Sequence, residues 1–265
     1  MTLQRRKFLQ AVPAVLVGLA ALPRMTLARD IDPALKARIK AITNVFEVGK
    51  PEADYAYVED LKDGRGFTVT NYGFVTRERE VADVITKLVA KVPESALKGF
   101  LPRLPPKARG ANTKALTDFP AAWSTAAKGS GDLADACEQE ADELYFNPAM
   151  AAAEEFGMAS PLGRAIVYDT VLQHGDGDDK DSLRSIYKRT KASTADAGEM
   201  AETDFFYAFL EVRRDVLLHP ANRATAKGWR ESVTRVDALE NILAENPGLT
   251  APVRVWNKEI SVIVS

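Results

Sequence analysis

The 265 residues include one cysteine, Cys137, and two histidines, His174 and His219. A lone cysteine excludes an intramolecular disulfide and a cysteine-based metal cluster, and two histidines leave little room for a multi-histidine metal site. No G-x-S-x-G elbow accompanies either histidine, so Ser-His-Asp and Cys-His nucleophiles are set aside. Neither G-x-x-x-x-G-K-[ST] nor G-x-G-x-x-G occurs, which removes the usual cradles for nucleotide phosphates. An excess of basic charge is also missing. With 35 basic and 37 acidic side chains the formal charge is −2, and nucleic acid is not a favoured partner. The 16 glycines and 14 prolines are scattered, so the chain is neither low-complexity nor collagen-like.

What is present starts with an address. Arg5-Arg6-Lys7-Phe8-Leu9 precedes an apolar run from Ala11 to Pro23, and Thr26-Leu27-Ala28 supplies the small residues that a signal peptidase reads. The run falls short of the ~20 apolar residues that span a bilayer comfortably. The paired arginines match a twin-arginine export signal, so residues 1–28 are expected to be a signal peptide handled by the twin-arginine machinery. Residues 29–265 are then the working domain, secreted or periplasmic and without stable membrane association after cleavage. The leader holds Arg5, Arg6, Lys7, Arg24 and no acid; its loss leaves 31 basic and 37 acidic residues, net −6. An acidic exported protein suits a cationic or neutral ligand better than a polyanion.

Helical spacing dominates the rest. Asp32-Pro33 is a good helix start, followed by Leu35, Ile39, Ile42 and Phe46, with Gly49 as a stop. The period disappears between Tyr55 and Phe74, where aromatic and β-branched residues flank Asp63-Gly64-Arg65-Gly66; short strands around a tight loop are expected. Val81, Val84, Ile85, Leu88, Val89 and Val92 restart a helical stripe. Leu101–Thr117, rich in Pro, Gly and basic residues, is expected to connect two lobes. Helices are predicted around Trp123 and over 134–146, 149–156, 162–173, 181–190, 201–218 and 230–244. Val253–Trp256 and Ile260–Val264 are expected as a strand pair or extended tail. The fold class is α+β, mostly α-helical, with a small β region in the N-terminal half.

The available chemistry is that of carboxylates. Glu138, Glu140, Asp142 and Glu143 share one predicted helix and are expected to form its solvated face. Gly175-Asp176-Gly177-Asp178-Asp179 lacks the glycine and terminal glutamate of a calcium loop. Glu47 sits where the first amphipathic pattern stops, a helix C-terminus that disfavours negative charge. Asp63 opens the Gly-rich turn 16 positions later. Two carboxyl groups facing one cleft, one protonated and one ionised, are what hydrolysis of a glycosidic bond requires.

The segment Tyr55–Thr68, YAYVEDLKDGRGFT, resembles the signature of the glycoside hydrolase family 46 chitosanases. AAWSTAAK (121–128), LYFNPAM (144–150), YDTVLQHGDGDD (168–179), FLEVRR (209–214) and TRVD (234–237) follow in the family's order. The resemblance implies a lysozyme-like bilobal fold with a substrate cleft between two lobes. It implies an endo-acting enzyme that cuts β-1,4 links between glucosamine units of chitosan with inversion, requiring no metal or organic cofactor. Glu47 matches the general acid, Asp63 the general base and Thr68 the hydroxyl that holds the attacking water. Asp169, Arg213 and Arg235 match a charged network behind the acid; Tyr57, Arg65, Tyr145 and His174 match positions lining the cleft. Glu80 stands where the family has an aspartate that binds glucosamine. Phe67 and Asn147 replace its common tyrosine and aspartate, and Arg77 and Arg79 add positive charge nearby. The rival readings are a lysozyme-like hydrolase of another amino-sugar polymer and a non-catalytic chitosan-binding protein.

Overall fold

The computed structural model describes residues 31–105, 112–221, 223 and 226–265. The expected signal peptide, 1–28, lies outside these residues, as does 106–111 of the Pro-rich stretch. The chain divides into two compact units: one holds the chain up to Glu52 together with Tyr145–Ser265, the other Ala53–Leu144. The Leu101–Thr117 stretch therefore lies inside the second unit and does not join the two. The first unit opens with helix α1, Pro33–Val48, started by Asp32, whose Oδ1 accepts from the Ala34 amide at 2.7 Å. Ile39, Ile42, Val45 and Phe46 are buried on its inner face. At ~1.5–3 kcal/mol per fully buried side chain, that face fixes the helix in place. Gly49, at φ 76°, ends it in the left-handed conformation that glycine adopts most readily.

The unit Ala53–Leu144 contains an antiparallel sheet in the order β1 (Val58–Asp60), β2 (Phe67–Val69), β3 (Phe74–Val75). Glu59 pairs with Thr68 and Thr68 with Val75, so Thr68 lies on the central strand. Phe67 stacks on Phe119 at 5.9 Å, and Phe119 meets Trp123 at 5.6 Å and Phe100 edge-on at 5.3 Å. These aromatics anchor the sheet to α3, Phe119–Ala127, while α2, Glu80–Lys91, buries Val81, Val84, Ile85 and Leu88. The partner of α2 is α4, Asp132–Ala141, with Leu133, Ala136 and Cys137 inside. The acidic run on and after α4 is only partly solvated, contrary to expectation. Glu138 accepts from the hydroxyls of Tyr55, at 2.8 Å, and Tyr72; Glu140 is buried and paired with Lys87, which also reaches Glu143 at 2.9 Å. The buried Tyr72 hydroxyl and the half-buried Lys87 ammonium draw these carboxylates inward.

A π-helical turn, Asp142–Phe146, carries the chain back into the first unit. There follow α5 (Asn147–Glu155), α6 (Pro161–His174), α7 (Leu183–Ser193), α8 (Glu202–Leu218), α9 (Ala226–Glu231) and α10 (Thr234–Glu245). Ser160 caps α6 and Ser182 caps α7, each accepting from a backbone amide three residues on. Nearly every residue of α6 is buried, which makes it the unit's central helix. The single helix predicted over 230–244 is divided around Ser232, whose hydroxyl binds the Trp229 carbonyl at 2.8 Å. An antiparallel pair, β4 (Val253–Trp256) and β5 (Ser261–Val264), closes the chain as one of the two expected forms. Among the described residues no helix is long and apolar enough to cross a membrane.

Candidate active site

Glu47 lies in the last turn of α1, its side chain 8% exposed. Arg235, near the start of α10, places Nη2 2.7 Å from Glu47 Oε1 and 2.9 Å from Asp169 Oδ1. Arg213 of α8 pairs with the other Asp169 oxygen at 2.7 Å, and neither of these two side chains has any exposed surface. Three helices besides α1 thus complete an alternating row, Glu47, Arg235, Asp169, Arg213, inside one unit. With Glu47 ionised the four charges cancel. Burial raises the Glu47 pKa from the usual glutamate range, Arg235 opposes it, and the Asp169 charge adds to the rise. The carboxyl is therefore biased towards holding a proton, while Arg235 fixes its direction. Phe46 covers the Arg235 guanidinium at 5.2 Å.

His174, the last residue of α6, is 1% exposed. Its Nδ1 is 2.8 Å from the Asp181 carbonyl and its Nε2 3.3 Å from Arg213 Nε. The imidazole belongs to the buried network in this structure and presents no surface for a ligand. Burial and the Arg213 charge hold its pKa well below the ordinary histidine value. Sequence reasoning missed two further members. Arg213 donates to Gln173 Oε1 at 2.6 Å, and Gln173 donates to the Ser232 hydroxyl at 2.6 Å. Neither residue type carries a spacing signal, since the contact joins separate helices.

Asp63 lies in the loop between β1 and β2. Its Oδ1 accepts from the Arg65 amide at 2.9 Å and its Oδ2 from Arg65 Nε at 2.8 Å, an Asx turn closed by an ion pair. Both side chains are open to solvent, 26% and 22% exposed. Gly64 and Gly66, at φ 81° and 83°, let the turn fold this tightly. Arg77 clips it from β3's side, donating to the Gly64 carbonyl at 3.2 Å, so this added charge has a local structural use. Thr68 is fully buried on β2, and its hydroxyl has no hydrogen-bond partner among the described residues. Tyr57 donates to Glu59 at 3.1 Å, half-buried beside β1. Glu80, the first residue of α2, has a buried, unpartnered Oε2; burial above all, then Glu78 and Glu140, pushes its pKa up to about 7. Tyr145, in the π-helical turn, is half-buried against the first unit's core. Among the described residues no group of three His, Cys, Asp or Glu is arranged to hold a metal ion.

The structure thus gathers Glu47, Asp169, Arg213, Arg235 and His174 in one unit, and Tyr57, Asp63, Arg65, Thr68 and Glu80 in the other. The glycosyl hydrolase family 46 model matches residues 41–253. The chain belongs to glycosyl hydrolase family 46. It is accordingly a glycoside hydrolase, mostly helical with a small sheet region, as the family is lysozyme-like in fold. It is 40% identical over 237 residues to the chitosanase of Bacillus subtilis (strain 168), covering 88% of this chain and 85% of that one. A Glu-to-Ala variant of the chitosanase from Bacillus subtilis MY002, solved with six glucosamine units, matches with a TM-score of 0.78 and 36% identity. That match covers 89% of this chain and 100% of the other. The family 46 chitosanase of Gynuella sunshinyii, solved with chitotetraose, matches with a TM-score of 0.77 and 33% identity over 89% and 99% of the two chains.

Proposed function

We propose that this family 46 enzyme is an exported endo-chitosanase that hydrolyses β-1,4 links between glucosamine units of chitosan by single displacement. The observation that carries the mechanism is the Glu47 carboxyl, buried and biased towards its protonated form yet held in a fixed direction by Arg235. That is the condition of a general acid, which must keep a proton at working pH and deliver it to the leaving oxygen. Asp63 is the complementary group. It is solvent-accessible and paired with Arg65, a setting that lets a carboxylate reach water. The Thr68 hydroxyl is buried and has no hydrogen-bond partner among the described residues, an open bonding capacity that a single enclosed water would satisfy. Protonation of the glycosidic oxygen by Glu47 breaks the C–O bond as water, deprotonated by Asp63, adds to the opposite face of the anomeric carbon. The enzyme emerges with both carboxyl groups unmodified, and the proton gained by Asp63 must be returned to Glu47 before the next turnover.

Chitosan as substrate is supported by the relatives, which are chitosanases and in two cases were solved with glucosamine oligomers. Tyr57, Arg65, Glu80 and Tyr145 are proposed to contact the sugar; His174 is not, because it is buried. The acid role is tested by following viscosity and reducing ends of deacetylated chitosan with wild-type protein and Glu47→Gln. A fast viscosity fall that precedes reducing-end release, cut about 10³-fold or more in the variant, is expected. Binding of chitosan without shortening would make the protein a binding module, and activity on cell-wall polymers alone would make it a different hydrolase. Export through the twin-arginine route, to a secreted or periplasmic destination, predicts a mature form beginning at Arg29. Replacing Arg5 and Arg6 by lysine should leave that form absent outside the cytoplasm; its undiminished appearance would contradict the route.

A further inference from the structure

We propose that His174 is a positioning residue of the acid machinery: as a neutral Nδ1–H tautomer it fixes the Arg213 guanidinium, and through it Asp169, Arg235 and Glu47. This rests on the reading of Glu47 as the general acid. Donors and acceptors decide the tautomer. Arg213 has no acceptor atom and cannot lose its charge, so the atom facing its Nε must accept. Nε2 of His174 is that atom, at 3.3 Å, and only an unprotonated ring nitrogen can accept. The proton of the neutral ring therefore sits on Nδ1, where the Asp181 carbonyl, 2.8 Å away, receives it. The ring is further held edge-on against Trp229 at 4.7 Å. An imidazolium in this place would set two cations against each other without solvent, with both side chains buried.

His174 thereby sets the orientation of Arg213 from the Nε side, while Asp169 and Gln173 hold Nη2 from the other. The charged groups that bear on Glu47 are Arg235 from α10, Asp169 from α6 and Arg213 from α8. Those that bear on His174 are Arg213 and Arg235, together with the Asp181 backbone; the Asp181 carboxylate is engaged elsewhere, by the Ala221 amide at 2.8 Å. Loss of the imidazole acceptor frees Arg213 to turn from Asp169. The Asp169 charge is then less neutralised, draws Arg235 towards itself, and leaves Glu47 facing less positive charge. The Glu47 pKa must rise, and the alkaline limb of the kcat–pH profile must move up with it.

The test compares wild type, His174→Phe and His174→Gln on a glucosamine hexamer, with the Glu47 carboxyl followed in parallel by ¹³C NMR titration. In His174→Gln the introduced amide oxygen supplies an acceptor to Arg213; in His174→Phe an aromatic ring remains but supplies none. His174→Phe should raise both the alkaline limb and the Glu47 titration by about half a pH unit or more, roughly threefold in the ionisation constant, and His174→Gln should restore both. A loss of thermal stability with the Glu47 titration unmoved would overturn the proposal. A Glu47 titration that moves while the alkaline limb does not would keep His174 as its positioner and remove Glu47 as the acid. In wild-type protein, ¹⁵N NMR of the imidazole should show a protonated Nδ1 and a bare Nε2, persisting below the ordinary histidine value. A proton on Nε2 there would overturn the proposal without recourse to any variant.

Discussion

Glu80 is a residue whose environment works against its chemistry. A carboxylate at the first position of a helix is ordinarily favoured by the helix dipole, yet burial of an unpartnered oxygen, with Glu78, Glu140 and Asp83 nearby, outweighs that and raises its pKa to about 7. Between the ordinary glutamate value of 4.5 and about 7 the folded protein binds a proton that the unfolded chain has released, so stability falls as pH rises through this window. At ~1.4 kcal/mol per pH unit the loss approaches ~3 kcal/mol. In denaturant unfolding at pH 4.5 and pH 8, the fall in stability should be larger in wild type than in Glu80→Gln by up to about 3 kcal/mol; an equal fall in both would contradict this origin. An ammonium group of the substrate placed here would supply the missing partner and pull the pKa back down. Composition left carboxylate chemistry as the option but not which of 37 acidic residues carries it; the helix-end glutamate and the turn aspartate were singled out by the family resemblance. The burial of His174 was not legible, because it depends on Arg213, 39 positions away, and on a central helix with almost no exposed face.

At the level of elements, α6 is held by a close approach that its sequence signals only as a glycine. A methyl group on Gly163 would lie 2.7 Å from the Phe206 ring and closer still to the Met158 carbonyl oxygen, a backbone atom that cannot step aside. Gly163→Ala should therefore cost about 2–3 kcal/mol or more, read as a lower Tm, and loosen α6 against α8. A Tm indistinguishable from wild type would show that the helices have room. Because Asp169 and His174 ride on α6, and Arg213 on α8, the same change should weaken the network behind Glu47. Helix existence was legible where cap and apolar period coincide, as at Asp32-Pro33; the caps Ser160 and Ser182 emerge from the structure, at or beside the starts expected for their helices. The break at Ser232 was not legible, since it answers to a bond from Gln173 on another helix. The acidic run from Glu138 misled for a related reason. Its partners Tyr55, Tyr72 and Lys87 lie 83, 66 and 53 positions away from the carboxylates they meet, out of reach of any periodicity argument.

On the scale of the molecule, each proposed catalytic group draws its properties from the unit that carries it. The Glu47 unit is a helical core whose buried charges alternate and cancel, a setting that would suit the proposed acid by withholding water. The Asp63 unit carries a small sheet with a Gly-rich turn at its rim, a setting that would suit the proposed base by admitting water. Sequence placed both carboxylates in their elements, α1's end and the β1–β2 loop, but set the joint between units in the wrong stretch. Pro and Gly mark loops, whereas the chain crosses between units beside Glu52 and within a π-helical turn that has no composition signal. The proposed division of labour, Glu47 as acid and Asp63 as base acting through water, has one stereochemical consequence. The measurement that bears on it most directly is ¹H NMR of the anomeric protons in the first minutes of glucosamine hexamer hydrolysis, before mutarotation. New reducing ends should appear as the α-anomer; their appearance as the β-anomer would contradict single displacement and require a covalent intermediate on one of the two carboxylates.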